Sequence, residues 1–414
     1  MRMVYLMAFF LAFQFSSFSQ EKIDLLILNR KYEEALQQID KRIGNHPDGI
    51  LYFKKGLVLN SMQKYQEAAA AISRALEFEP ENSDMLLELA DVLTTLGNHH
   101  EANPFYEKAA RLQPGNLTIN AKLGRNYIQL NRYGKAYAVF DKIFQIDSIN
   151  TFWNKQFAFC AHQTGKTSQA IDLYESVIEK NPGDYSSYFN LIRLYQQTEK
   201  FGDALGVIEK GIENFPGVAG FYEQKANQLF GNKQYGEARE VYEKYFVAGG
   251  DSIYKVLLNY GISLYFSGEK NKAIKVLDIC ASQVANDPFA LFYLSLSYKK
   301  LAQYEVSEAY MNAAIESATP YYLPEMYHHL GQIYGQQRKF EESIIALKKA
   351  NELDPENFEV LFEIATTYEE FNSNKTIALN YYTVYLKEAG ESARNINYAL
   401  DRIKKIKEDL FFDE

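Results

Sequence analysis

The chain has 414 residues, of which 15% are aromatic, 32 of them Tyr, and it carries a formal net charge of −9. That acidic balance disfavours nucleic acid or an anionic membrane as partner, since both are held by clustered Lys and Arg. At this length, ordinary globular scaling would divide the chain into two or three domains. Read in order, residues 1–19 stand apart. Arg2 precedes an uninterrupted apolar run, Val4 to Phe13, and Ser17 and Ser19 place small residues at −3 and −1 before Gln20. This pattern is expected of a secretory signal that is cleaved, the alternative being an uncleaved N-terminal anchor. No Cys follows the run, which argues against a lipoprotein route. No other stretch is long and apolar enough to span a membrane.

From Gln20 onward one pattern recurs. Lys64-Tyr65-Gln66-Glu67-Ala68, followed by Ile72, Ala75 and Pro80, reads as the second half of a helical hairpin. Its small residue returns at Ala35, Ala68, Ala102, Ala136, Ala170, Ala204, Ala238, Ala273, Ser307, Ser343 and Ala378, at steps of 33 to 36 residues. A fixed period of this size means stacked helix pairs rather than one core. Residues 83–116 show the unit. Leu86, Leu89, Ala90 and Leu93 form the apolar stripe of a first helix. Gly97-Asn98 breaks it. Ala102, Tyr106, Ala109 and Leu112 form the second stripe, and Pro114 ends it. Neither helix buries its stripe alone, so each pair leans on the next. The first helices carry their own small residue at Gly56, Ala90, Gly124, Ala158, Ala226, Gly261, Gly331 and Ala365, with Ile192 as a departure. Helix axes approach closely there, and rings such as Tyr127, Tyr174, Phe140 and Tyr242 fill the flanking holes.

The organisation that follows is a signal over 1–19, an array whose N-terminal part covers 20–250 and C-terminal part 251–390, and a capping helix and tail over 391–414. The Gly-rich junction around Gly249-Gly250 reads as a bend. Pro320 to Pro324 adds length and reads as a loosened junction. In the last helix Ile396, Ala399, Leu400, Ile403 and Ile406 form the buried stripe, with Arg402, Lys404, Lys405 and Lys407 toward water. Cys160 and Cys280 lie about three repeats apart. At roughly 10 Å of advance per repeat a disulfide between them is excluded, and both are expected to be buried thiols.

Leu123-Gly124, Tyr127, Tyr133, Ala136 and Phe140 in one unit, and Leu330-Gly331, Tyr334, Phe340, Leu347, Ala350 and Pro355 in another, resemble the tetratricopeptide repeat (TPR) family. The resemblance covers about 20–390. It implies an all-α, right-handed superhelical solenoid of about eleven helix-turn-helix pairs plus a C-terminal capping helix. It also implies partner binding on a concave face lined by first helices. Placed in that frame, Asp84, Glu88 and Asp91 form an acidic patch. Arg125, Lys155, Asn190 and Arg193 form a basic and amide patch, and Phe289, Phe292 and Tyr293 an aromatic one. Some family members clamp a C-terminal carboxylate with a Lys-x-x-x-Asn pair; Lys122-x-x-x-Asn126 has that spacing but is offset by one position.

Motifs of enzymatic chemistry are absent: the sequence has no GxxxxGK, GxSxG, HExxH or CxxC. His99-His100 at a turn is expected to be solvated. His328-His329 on a first helix points two rings about 100° apart, a poor metal pair. No cofactor or metal is implied. The expected function is a non-catalytic interaction scaffold or assembly factor exported to the periplasm or envelope of a Gram-negative bacterium. It would bind a protein or peptide partner, with neither nucleic acid nor a membrane span after signal cleavage. A glycan- or peptidoglycan-binding accessory subunit is the alternative, since Tyr-rich grooves can stack on sugars.

Overall fold

The computed structural model describes residues 22–371, 375–389 and 394–413. The expected signal, residues 1–19, lies outside them. The described residues form only helices and turns, eleven helix pairs and a last helix. None of the described helices is long and apolar enough to cross a membrane. The chain divides into two compact units at Val207 and Ile208, within the helix Phe201–Asn214.

The first unit holds α1 (22–28), α2 (Tyr32–Asn45), α3 (Gly49–Ser61), α4 (Tyr65–Phe78), α5 (Ser83–Thr95) and α6 (His99–Leu112). It continues with α7 (Leu117–Gln129), α8 (Tyr133–Ile146), α9 (Thr151–Gln163), α10 (Thr167–Lys180) and α11 (Tyr185–Gln197), and α12 (Phe201–Asn214) carries the division. The second unit holds α13 (Ala219–Gly231), α14 (Tyr235–Val247), α15 (Tyr254–Phe266), α16 (Lys270–Gln283), α17 (Pro288–Lys300) and α18 (Tyr304–Ser317). It ends with α19 (Leu323–Gln336), α20 (Phe340–Leu353), α21 (Glu359–Glu370), α22 (Lys375–Ala389) and α23 (Ile396–Asp413).

The period places the small residues at the tightest contacts. Every member of the second-helix series from Ala35 to Ala378 is at most 1% exposed. In the first helices the slot is as tight. A Cβ on Gly124 would sit 2.7 Å from the Phe140 ring, and one on Gly331 would sit 2.6 Å from Leu347. Where Ser replaces Ala the hydroxyl is satisfied across the pair. Ser307 Oγ donates to the Ser295 carbonyl at 2.8 Å, Ser295 Oγ donates to the Ser307 carbonyl at 2.7 Å, and Ser343 Oγ donates to the Gly331 carbonyl at 2.7 Å. A buried hydroxyl without such a partner would be costly.

Local signals explain the helix ends. Asn82, Asn116 and Asn150 cap α5, α7 and α9 by accepting backbone N–H bonds, the ordinary role of Asn at that place. Between first and second helices a left-handed residue closes the turn. Gly97, Gly165 and Gly268 do this, but so do Gln63, Asn131, Lys233, Ala302 and Arg338. The turn is fixed by the packing of both helices, strongly enough to hold residues that prefer otherwise.

One junction and two positions in the last helix differ from expectation. Pro320–Tyr322 is not a loosened link: it winds as a 3-10 turn leading into α19, and Tyr322 packs against the Phe289 ring at 4.8 Å. In α23, Leu400 is not buried but 52% exposed. Arg402 does not face water but ties the cap to α21 through Glu369. Glu369 also accepts from the buried Tyr382 hydroxyl at 2.9 Å, so one carboxylate anchors the cap to the last helix pair. Cys160 and Cys280 are free and buried, and burial pushes both thiols up to about 12.

Candidate functional site

The first helices of the first unit are joined by polar contacts that step one repeat at a time. Lys54 on α3 pairs with Asp24 on α1. Asn60 donates to Glu88 on α5 at 2.8 Å. Lys122 on α7 pairs with Asp91 on α5. Lys155 on α9 pairs with Asp184, just before α11, at 2.9 Å and also donates to Ser186. Burial works to raise Asp184, but donation from Ser186, Lys155 and Ser187 prevails and holds its carboxyl below the usual range. The acidic and basic patches expected from the sequence therefore neutralise one another in large part.

The expected basic residues do not form one constellation. Lys155 is committed to Asp184. Arg193 Nη2 donates to Asn190 Oδ1 at 3.1 Å on one exposed turn of α11. Among the described residues no hydrogen bond or ion pair links either to Arg125. Arg125 is exposed and lines a cleft of about 460 Å³ with Asp91, Tyr106, Lys122 and Asn126. The cleft has a fixed polar floor. Tyr106 donates to Asp91 Oδ1 at 2.6 Å, and burial, with that carboxylate beside it, pushes the phenol upward. Asn126 is 3% exposed and donates to the His99 carbonyl at 3.2 Å, while His99 Nδ1 lies 3.3 Å from Asn126 Oδ1. His99 is thus a wall of the cleft rather than a solvated turn residue. Lys122 and Asn126 share the cleft, but each is already bonded within the protein. Nearby on α9, His162 is held low by burial and by Arg193.

In the second unit the expected aromatic residues are largely packing groups. Phe289 meets Tyr322. Phe292 is 6% exposed and packs on the His329 ring at 5.6 Å. Tyr293 meets Tyr265 and Phe266 edge-on at 5.7 and 6.1 Å. The row continues to an open ring, because Phe266 is 50% exposed and stacks on Tyr235 at 4.3 Å with an interplanar angle of 12°.

Beyond Phe292 lies a polar network that residue-type reasoning did not find. Lys299 on α17 donates to Gln332 Oε1 on α19 at 2.6 Å. Gln332 Nε2 donates to Glu363 Oε1 on α21 at 2.7 Å. His328 Nε2 lies 3.1 Å from Glu363 Oε2, and His329 Nδ1 lies 3.2 Å from Gln332 Oε1. The two imidazoles stack 13° from parallel and meet the same Gln332, rather than pointing apart. Among the described residues no His, Cys, Asp and Glu group is arranged to hold a metal. Burial lowers Lys299 to about 8 and, with Lys299 and His328 beside it, lowers His329 to about 4. Burial opposes Glu363, yet its bond to His328 holds that carboxyl low. The signal available in the sequence was the repeat step itself: Lys299, Gln332 and Glu363 follow one another at 33 and 31 residues.

Family models match three stretches: "Psidin, N-terminal TPR repeats region" over 24–154, and "Tetratricopeptide repeat" over 161–219 and 324–357. Among curated proteins, the chain is 26% identical over 165 residues to the Vi polysaccharide export protein VexE of Salmonella typhi, covering 38% of this chain and 25% of that one. It is 21% identical over 310 residues to TPR repeat-containing protein MJ1428 of Methanocaldococcus jannaschii, covering 72% and 48%. It is 25% identical over 164 residues to the human protein O-mannosyl-transferase TMTC1, covering 39% and 18%. The chain spans a half or less of each of these relatives. Among solved structures it is similar to YrrB, described as a TPR protein with an unusual peptide-binding site, at 23% identity and a TM-score of 0.40, covering 43% of this chain and 92% of that one. With the helix pairs at a regular period and repeat models matching in both units, the chain is a tetratricopeptide-repeat protein.

Proposed function

We propose that the protein is a non-catalytic scaffold or assembly factor of the bacterial cell envelope that holds a peptide or protein partner against its first helices. The observation that supports this most is the Arg125 cleft. An exposed guanidinium stands over a floor whose other polar groups are already bonded to one another. Such a floor loses little freedom when a partner docks, and Arg presents a planar fork suited to carboxylates. The titratable groups around it serve the pairing between repeats, which supports binding rather than catalysis. The envelope assignment rests on the expected signal at 1–19 and on the partial likeness to VexE, whose name is that of an export protein.

Affinity capture of the tagged chain from native envelope extract, with cross-linking, tests the reading. Arg125→Glu combined with Arg193→Glu should abolish capture while helicity and melting stay unchanged. Undiminished capture would remove this surface from consideration. The size of the secreted chain and its first residue test the signal. A second reading, an accessory subunit that binds glycan, draws on the parallel Tyr235–Phe266 pair, whose open face suits a sugar ring. Retention of glycan in place of any enriched protein would favour it.

A further inference from the structure

On the side of α7 away from the Arg125 cleft lies a second cavity, of about 610 Å³, lined by α6, α7 and α8. Leu123 and Tyr127 line it, each two residues from Arg125, and at about 100° per residue that places the two openings on opposite faces of α7. Its size is that of a small-ligand site. Leu123 and Ile143, 6% and 1% exposed, form the floor. Leu117, Val139 and Ile146 form the walls, and Ile146 is 66% exposed at the mouth. Five polar side chains share this lining, and three of them are already bonded within the protein. Glu107 Oε1 accepts from Tyr127 at 2.7 Å and from Asn103 at 2.9 Å, with Lys135 Nζ 3.8 Å away. Asn120 donates to the Pro114 and Asn116 carbonyls at 2.9 and 3.0 Å. The other two are cations, Arg111 in the last turn of α6 and Lys142 one turn before the end of α8. Among the described residues no hydrogen bond or ion pair engages either.

That division narrows the occupant. A peptide laid in the cavity would bury backbone N–H and C=O groups against side chains that are already bonded elsewhere, which is costly. The hydroxyls of a sugar would meet the same lack of partners. An alkyl chain needs none, and covering Ile146 with it removes apolar surface from water. The two cations then call for one acid group at its end, and Arg offers the fork that fits a carboxylate. The matching cavity in the second unit, about 580 Å³, does not repeat this. Leu330 and Tyr334 line it as Leu123 and Tyr127 do here, but Lys348 and Lys349 share its rim with Glu342 and Glu352, and Lys349 pairs with Glu352 at 3.0 Å. We propose that the cavity between α6, α7 and α8 binds a free medium-chain fatty acid, its carboxylate held by Arg111 and Lys142 and its alkyl chain laid along Leu117, Leu123, Val139 and Ile146. From Val139 to Ile146 α8 advances about 10 Å, which suits a medium chain rather than a long one. The site stands apart from the face on which the scaffold reading rests and does not depend on it.

The test is equilibrium dialysis of the full chain with decanoate, kept below micelle formation, and with decanol as its neutral counterpart. A single decanoate should bind per chain, about tenfold tighter than decanol or more. Arg111→Glu combined with Lys142→Glu should remove that preference and leave decanol binding unchanged. Both side chains are exposed, so helicity and melting of the variant should match the native chain, which separates lost binding from lost folding. Decanoate should raise the melting temperature of the native chain and not that of the variant. Val139→Phe, which fills the cavity, should weaken both ligands, and Arg125→Glu should change neither. No saturable binding, several decanoates per chain, equal binding of decanol, or undiminished binding by the double variant would each overturn the proposal. Phosphatidylglycerol vesicles, or an apolar peptide ending in Glu, held in place of decanoate would overturn it as well.

Discussion

The two units share one scaffold and surface it differently. In the first, a charge on one first helix is met by the opposite charge one repeat away, as in Lys122 with Asp91 and Lys155 with Asp184. In the second, the corresponding face is a run of rings ending in Lys299, Gln332 and Glu363, where an amide stands between cation and anion. A repeat array fixes where side chains stand and leaves their chemistry free, because each position meets its own counterpart one step along. A single amide in place of a carboxylate turns a direct pair into a bridged one.

The largest effects should fall on what the units share. Phe140→Ala in the first and Leu277→Ala in the second, residues 1% and 0% exposed, should each cost about 3–5 and 2–5 kcal/mol. Hydrogen exchange should show the loss confined to the helices of the unit that carries the substitution. Loss of protection throughout the chain would show that the units do not open independently.

Next in size are substitutions that break the contrast. Glu363→Gln leaves Lys299 and His328 facing no anion and should cost about 1–3 kcal/mol in chemical denaturation. Asp91→Asn, in a better solvated pair, should cost about 1 kcal/mol or less. An equal cost would mean that the two faces are energetically alike.

Acidity sharpens the comparison further. His329 is lowered in the fold to about 4, while the unfolded chain takes up that proton near 6.5. Between those values the unfolded state binds more protons, so stability falls as pH falls through the window. The loss should amount to about 1–3 kcal/mol by pH 4, and His329→Gln should flatten it. Lys299, lowered to about 8, works in a higher window: stability should rise with pH from about 8 to 10.5 and cease to do so in Lys299→Met. The smallest effect belongs to Arg125→Glu. Its side chain is exposed, and denaturation should change by no more than about 0.5 kcal/mol whatever happens to partner capture.

Much of this was legible in the sequence, for one physical reason. Close approach of helix axes admits only small side chains, so the series from Ala35 to Ala378 had to recur at the repeat step, and each stripe had to recur with it. Pairs, turns and the capping helix follow from that period. What residue types could not show is how neighbours one repeat apart would combine. Arg402 looked like solvent-facing charge until α21 brought Glu369 to it. Phe292 looked like a groove residue and is buried against His329. Lys155 looked available and is held by Asp184, while Lys299, not singled out by its type, is joined to Glu363 through the Gln332 amide. The architecture is written in local spacing, because every unit repeats the same contacts. The chemistry of the face was decided only in the fold, because each charge depends on a residue about thirty positions away that stacking alone places beside it.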